Sequence, residues 1–246
     1  MNYKIYPLDV GDLEVDSSFL SWQTNCGKKV SATTTAWLVT GADKPILIDT
    51  SFRSVEDAAK FQGLICKRSK HQTLQAQLAR FEISLEDVGY IIHTHVHMDH
   101  AGQDYLFPKA KIILQRGELQ HASAPNVCPV LFYDRIDISR LGNDLWSQLE
   151  FIETGDSEPF PGIRCEFMPG HTPFHQIVRI DTAAGEYIVA GDAAVLIEDV
   201  KRQWMPGIID SMSGVMNGLK KLQPLVDRVL PTHDRGVAEK FAKGIG

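Results

Sequence analysis

Cysteine is scarce in this chain. Four occur in 246 residues, Cys26, Cys66, Cys128 and Cys165, far apart and with no Cys-x-x-Cys pair. A disulfide scaffold is therefore not the source of the fold, and a thiolate zinc site has no support. The thiols read as buried or indifferent groups in a reducing compartment. Long apolar runs are missing as well: none approaches the ~20 residues that span a bilayer. The opening Met1-Asn2-Tyr3-Lys4-Ile5, followed by Pro7 and Asp9, has no apolar stretch of a secretory leader. The expectation is a cytoplasmic protein. Positive charge is in deficit, with 25 Lys and Arg against 31 Asp and Glu and a net charge of −6. The basic residues are scattered apart from short pairs such as Lys67-Arg68, so neither nucleic acid nor a membrane surface is an expected partner. A small molecule remains, and the oligomeric state stays open. No Gly-x-Ser-x-Gly elbow is present, which removes that route to a serine nucleophile.

What the chain does have is an ordinary folded composition, 43% apolar and 23% charged. No Pro/Ser-rich linker divides it, so residues 1–246 are read as one domain made of two similar halves. Short apolar runs punctuated by turn residues predict strands at Ala36–Val39, Ile46–Ile48, Val88–Ile92 and Lys111–Gln115. Further strands are expected at Phe151-Ile152, Ile163–Phe167, Gln176–Ile180, Tyr187–Ala190 and Arg228–Leu230. Helices are expected over Val55–Arg80, as two pieces broken near Lys67–Lys70, from Arg116 onward, and over Ser211–Leu222. The stretch Ala124–Leu149, interrupted by Pro125, Asn126 and Pro129, reads either as a long loop or lid beside the site or as an ordinary surface connection. Strands and helices mix without the regular rhythm of a doubly wound sheet, within the α/β class.

The chemistry is concentrated in Ile91-Ile92-His93-Thr94-His95-Val96-His97-Met98-Asp99-His100-Ala101-Gly102. Four histidines and one aspartate lie in eight residues at the end of an apolar strand. Imidazole and carboxylate are preferred zinc donors. Three more candidate ligands stand at strand ends: His171 in Gly-His-Thr-Pro, Asp192 in Ala-Gly-Asp, and His233 in Pro-Thr-His-Asp. Seven donors exceed the four that close one structural metal site, and suit two ions.

His95-x-His97-x-Asp99-His100, followed by His171, Asp192 and His233, resembles the dinuclear metallo-β-lactamase superfamily over most of the chain. The stretches LARFEISLEDVGYIIHTHVHMDHAGQ and PGHTPFHQ are closest in flavour to the N-acyl-homoserine-lactone lactonases. The resemblance implies a four-layer αβ/βα sandwich with the metals at one edge, between the halves. It implies His95, His97 and His171 on one metal, Asp99, His100 and His233 on the other, and Asp192 bridging both together with a hydroxide. Zinc is the default, with manganese, cobalt or iron acceptable to the same donors. Only the frame starting at His95 puts Asp-His at the right offset, so His93 is expected to orient a ligand. His175 is expected to pack or to support a ligand from behind, and His71, His121 and Asp234 to lie on the surface.

The activity so implied is hydrolysis of a lactone ring, with Asp99 both a ligand and the proton carrier. The lactonase group commonly has a tyrosine three positions after the bridging aspartate, and here that position is Val195. Tyr133 and Tyr105 are the candidate replacements. Arg53 is a candidate to grip a substrate carboxylate, which would suit a small acidic aromatic lactone. Trp204 and Met205, with Phe19, Trp22 and Phe52, are candidate pocket walls. A thioesterase, lactamase or phosphodiesterase on the same scaffold is the alternative, and a mononuclear iron sulfur dioxygenase is a further one.

Overall fold

A computed structural model describes residues 3–125 and 132–246; Cys128 and part of the expected 124–149 loop lie outside the described residues. The strands are β1 Lys4–Asp16, β2 Lys29–Thr40, β3 Ile46–Ile48, β4 Ile65–Lys67, β5 Tyr90–Ile92, β6 Lys111–Gln115 and β7 Leu149–Ile152. The remaining five are β8 Ser157–Phe160, β9 Ile163–Phe167, β10 Gln176–Thr182, β11 Gly185–Gly191 and β12 Val229–Pro231. They form a seven-stranded sheet in the order β4-β1-β2-β3-β5-β6-β7 and a five-stranded sheet in the order β12-β11-β10-β9-β8. The first sheet is antiparallel up to β3 and parallel from β3 to β7. The second is antiparallel except for the parallel pair β11–β12.

Strand alternation explains the layering, because successive side chains leave opposite faces of a sheet. Trp37, Val39, Ile46, Ile48, Ile92 and Ile113 point inward from the first sheet and meet Ile163, Val178, Ile180, Val189 and Leu230 of the second. Their neighbours Leu38, Leu47, Ile91, Ile112 and Leu114 point outward and pack with Leu74, Leu78, Leu119, Ile138 and Leu141 from the helices on that side. Ile177, Ile188 and Ala190 do the same on the other side with Val215, Leu219 and Leu222. The result is helix, sheet, sheet, helix, the αβ/βα sandwich that the resemblance implied. No described helix is long and apolar enough to cross a membrane.

One long strand was missed and two expectations need correcting. β1 is a long strand that sequence patterning did not single out. It tolerates Pro7 because its outer edge is paired with β4 only at Asp12–Glu14, so the missing N–H faces no partner strand. Gly11, at φ +144°, sits in the bulge after Asp9, where a Cβ would strike the Phe52 ring at 2.6 Å. Residues 55–80 are not two plain helices: after Val55–Asp57 and a π-turn at Ala58–Gln62 comes β4, and only Leu74–Ala79 is α-helical beyond it. Residues 135–142 of the expected loop form a helix. Asp134 caps it by accepting from the backbone N–H of Ile136 and Asp137, and Ile138 and Leu141 bury its inner face.

Candidate metal centre

Every candidate ligand stands just beyond a strand. β5 ends at Ile92 and releases His93 to His97 into a tight loop that enters the short helix Met98–Ala101. β9 leads to His171, β11 to Asp192 and β12 to His233. The turn after β11 needs glycine. Gly191 has φ +50°, and a Cβ there would come within 2.5 Å of Thr94 Oγ1 and 2.9 Å of His175 Nε2.

These ends converge. Donor atoms of His95, His97 and His171 lie within 4.8 Å of one another, as do those of His95, His100 and Asp192, and those of Asp99, His100 and His233. Asp192 reaches both sides: Oδ2 is 3.4 Å from His171 Nε2, while Oδ1 is 3.4 Å from His100 Nε2 and 3.4 Å from His233 Nε2. Asp99 Oδ2 is 3.4 Å from His233 Nε2. All seven residues are buried, yet among the described residues Nε2 of His95, His97 and His100 and Oδ1 of Asp192 have no hydrogen-bond partner. Unpaired buried polar atoms are costly, and a converging set of them with this chemistry fits metal ions.

The charge pattern is divided. Burial disfavours charge on His100 and His233, but neighbouring carboxylates, Asp192 foremost, hold both above the usual histidine range. Burial and the crowding of neighbouring imidazoles hold His95 and His97 well below the usual histidine range, which leaves the neutral rings a metal requires. Burial opposes charge on Asp192 too, but His233, His100 and His171 hold its carboxyl well below its ordinary value. The ligand rings are fixed from behind through their other nitrogens. His171 Nδ1 bonds the Ile208 carbonyl at 2.8 Å, His233 Nδ1 the Thr33 carbonyl at 2.8 Å, and His95 Nδ1 meets Thr94 Oγ1 at 3.1 Å. Such bonds set the tautomer and aim of a ligand.

Residues 32–234 match the family model of the metallo-beta-lactamase superfamily. The chain belongs to the metallo-beta-lactamase superfamily. Within that superfamily it is 31% identical over 180 residues to the N-acyl homoserine lactonase AttM of Azorhizobium caulinodans, covering 70% of this chain and 67% of that protein. It is 26% identical over 243 residues to an N-acyl homoserine lactonase of Bacillus cereus, covering 93% and 90% of the two chains. A solved structure of an N-acyl homoserine lactone hydrolase, with the product N-hexanoyl-L-homoserine bound at its catalytic metal centre, matches with a TM-score of 0.83 and 26% identity over 98% of this chain and 97% of that one.

In this metallo-beta-lactamase chain the donors open onto an apolar cleft. Leu13, Val15, Phe19, Leu20, Leu64, Phe132, Val195 and Ile208 line it beside His97, Asp99, His171, Asp192 and His233. Val195 is thus part of the wall. Arg53 is not available to a substrate carboxylate, because its buried guanidinium is bound to Asp57, Asp134 and Asp137. Tyr133 is buried with its ring 4.7 Å from that of His97, but its hydroxyl points to Glu118 at 3.4 Å. Tyr105 is exposed and stacks under Arg140. Trp204 is outside the cleft lining and ties two loops together, its Nε1 donating to the Trp22 carbonyl at 2.8 Å. Phe52 is core, packed under the Arg68 guanidinium.

Three supporting carboxylates, Asp49, Asp104 and Glu118, escaped the sequence reading. Asp49, at the end of β3, accepts from Thr94 N at 2.9 Å and Thr94 Oγ1 at 2.8 Å, and pairs with His100 Nδ1 at 2.8 Å. It does so from a left-handed conformation, φ 61°, unusual for a non-glycine residue. His93 lies between Asp104, 2.8 Å from its Nε2, and Asp49, 3.4 Å from its Nδ1. Burial alone would lower its pKa, but the two carboxylates push it up to about 9. Glu118 accepts from Val96 N at 3.2 Å and Thr172 Oγ1 at 2.8 Å, joining the His95–His97 loop to the His171 turn.

Proposed function

We propose that this protein hydrolyses the ring of N-acyl homoserine lactones with two divalent metal ions, zinc by default. The observation that carries the reading is the position of Asp192, one oxygen toward His171 and the other toward His100 and His233. That arrangement supports His95, His97 and His171 holding one ion, Asp99, His100 and His233 the other, and Asp192 both. When bound, the ions supply a low-pKa water and a Lewis acid for the carbonyl. The rest falls to the chain. The apolar cleft takes an acyl chain and excludes water from it. Asp99 lines the cleft and carries one proton of the attacking water to the ring oxygen as the C–O bond breaks, giving an alcohol and a carboxylic acid, which loses its remaining proton to solvent. With Arg53 engaged elsewhere, no Lys or Arg among the described residues lines the cleft to favour an acidic lactone, which supports a neutral lactone with an apolar tail as the substrate class.

The reading keeps the protein a single domain over residues 1–246, in the cytoplasm, acting on a small molecule with neither nucleic acid nor membrane as partner. The test is lactone hydrolysis by purified protein, with metals counted by elemental analysis on the same sample. Two ions per chain and fast opening of acyl homoserine lactones are expected. Two ions with no lactone turnover would sink the lactonase reading and leave a hydrolase of another bond. A single iron would overturn hydrolysis.

A further inference from the structure

A buried guanidinium with three carboxylate partners beside the cleft invites a different role from substrate binding. Arg53 Nη1 and Nη2 donate to Oδ1 and Oδ2 of Asp134 at 3.0 and 3.1 Å, Nη1 also reaches Asp137 Oδ1, and Nε donates to Asp57 Oδ2 at 2.7 Å. Asp134 Oδ2 accepts a second bond from Gln62 Nε2 at 2.9 Å. Both far ends of this lattice sit next to cleft walls. Gln62 is followed by Gly63, left-handed at φ 66°, and then by Leu64, which lines the cleft. Asp134 is preceded by Tyr133 and Phe132. Phe132 lines the cleft, its ring 5.6 Å from that of His97 and 6.2 Å from that of Phe19. The near end is anchored to the metal-bearing helix. Backbone N of Arg53 lies so close to Gly102 that a Cβ there would meet it at 2.4 Å. One cation therefore joins three segments that share no strand or helix.

We propose that Arg53 is a positioning residue for substrate choice: through Asp134 and Gln62 it fixes where Leu64 and Phe132 stand, and so sets which acyl chains the cleft accepts. This rests on the lactonase reading above. The planar fork of arginine can bind two carboxylates at once, whereas lysine supplies the charge without the fork. Loosened walls cost a long acyl chain more than a short one, because the long chain spends more of its binding energy on them.

The experiment compares wild type, Arg53→Lys and Gln62→Leu on butanoyl, hexanoyl, octanoyl and decanoyl homoserine lactones, with metals counted in each preparation. Arg53→Lys is expected to keep the wild-type metal content and a butanoyl kcat/KM within about twofold, while decanoyl kcat/KM falls about tenfold, mostly through KM. An unchanged chain-length profile, or an equal loss at every length, overturns the proposal. If Arg53→Lys does not fold, Gln62→Leu carries the test alone, because it severs only the Leu64 side. It is expected to lose about threefold on decanoyl with butanoyl unchanged, and an unaltered decanoyl value overturns the proposal. Wild type that opens none of the four lactones overturns the lactonase reading itself, a result visible before any variant is compared.

Discussion

Asn in place of Asp49 tests how far the metal centre depends on what stands behind it. The substitution preserves shape and burial but turns one acceptor oxygen into an NH2 donor. In the native site Oδ2 serves Thr94 Oγ1 and His100 Nδ1, both at 2.8 Å, and Oδ1 serves Thr94 N at 2.9 Å. If the new NH2 faces His100, Nδ1 must accept, the ring proton moves to Nε2, and the atom that points toward Asp192 is blocked. If the amide flips, the NH2 opposes the N–H of Thr94. The first orientation takes away a metal-binding nitrogen and the second sets a donor against a donor, in a site with almost no solvent. Removing such a supporting partner costs about 10–100-fold in metal affinity or activity, or about 1.4–2.8 kcal/mol. The assay is chelator competition, measuring the affinity of both ions in wild type and Asp49→Asn, with kcat/KM on the same preparations. Affinity for at least one ion is expected to fall by about that factor. Wild-type affinity for both ions would show that the tautomer of His100 is not set by Asp49, and the reasoning would be wrong.

Asp192→Ala removes the shared carboxylate and is expected to abolish most lactone turnover while circular dichroism stays native; full turnover would refute a two-ion mechanism. His93→Ala is expected to reduce turnover far less than His95→Ala, because His93 contacts Asp49 and Asp104 rather than the converging donors; equal losses would show His93 to be a ligand. Chelation is expected to lower the melting temperature and added zinc to restore it, since ions that bind only the folded chain stabilise it; a melting point indifferent to both would count against the site. Burial, with Asp134 alongside, pushes Asp137 up to about 7 despite Arg53. The folded state then holds this proton more tightly than the unfolded chain, so stability falls as pH rises from about 4 to about 7. Asp137→Asn is expected to flatten that fall by on the order of 2–4 kcal/mol in urea titrations across the window; an unchanged slope would refute the assignment.

The metal donors were legible because metal chemistry concentrates rare side chains. His95 to His100 follow an apolar strand too short to be anything but buried, and His171, Asp192 and His233 each end a similar run. Asp49 carries the same signal, an acid after Ile46–Ile48, but a lone aspartate at a strand tip is common and nothing local says that β3 lies beside β5. Glu118 gives even less warning, sitting in a helix where a glutamate ordinarily faces water. Arg53 was misread for a plainer reason: its partners Asp134 and Asp137 are 81 and 84 residues away in sequence. A charge shows in a sequence, but its neutralisation across such a distance does not. The helix over 135–142 was obscured by the prolines before it, although Asp134 and the spacing of Ile138 and Leu141 mark its start and its buried face.

The ligand-bearing strand ends belong to two different sheets, and this has a mechanical consequence. β5 lies in the first sheet, while β9, β11 and β12 lie in the second. Ions held between them as proposed would act as a cross-link closing a loop from His95 to His233, much as a disulfide would, and would restrict the unfolded chain by the entropy of that closure. The seam between the sheets would then be fastened at one edge by coordination, beside apolar packing along its length and cross-sheet hydrogen bonds such as Gln115 Nε2 to Gln176 Oε1 and His233 Nδ1 to the Thr33 carbonyl. Stripping the ions unfastens that edge first, so hydrogen exchange and proteolysis in the demetallated protein should begin at the tips of β5, β11 and β12 and spread inward.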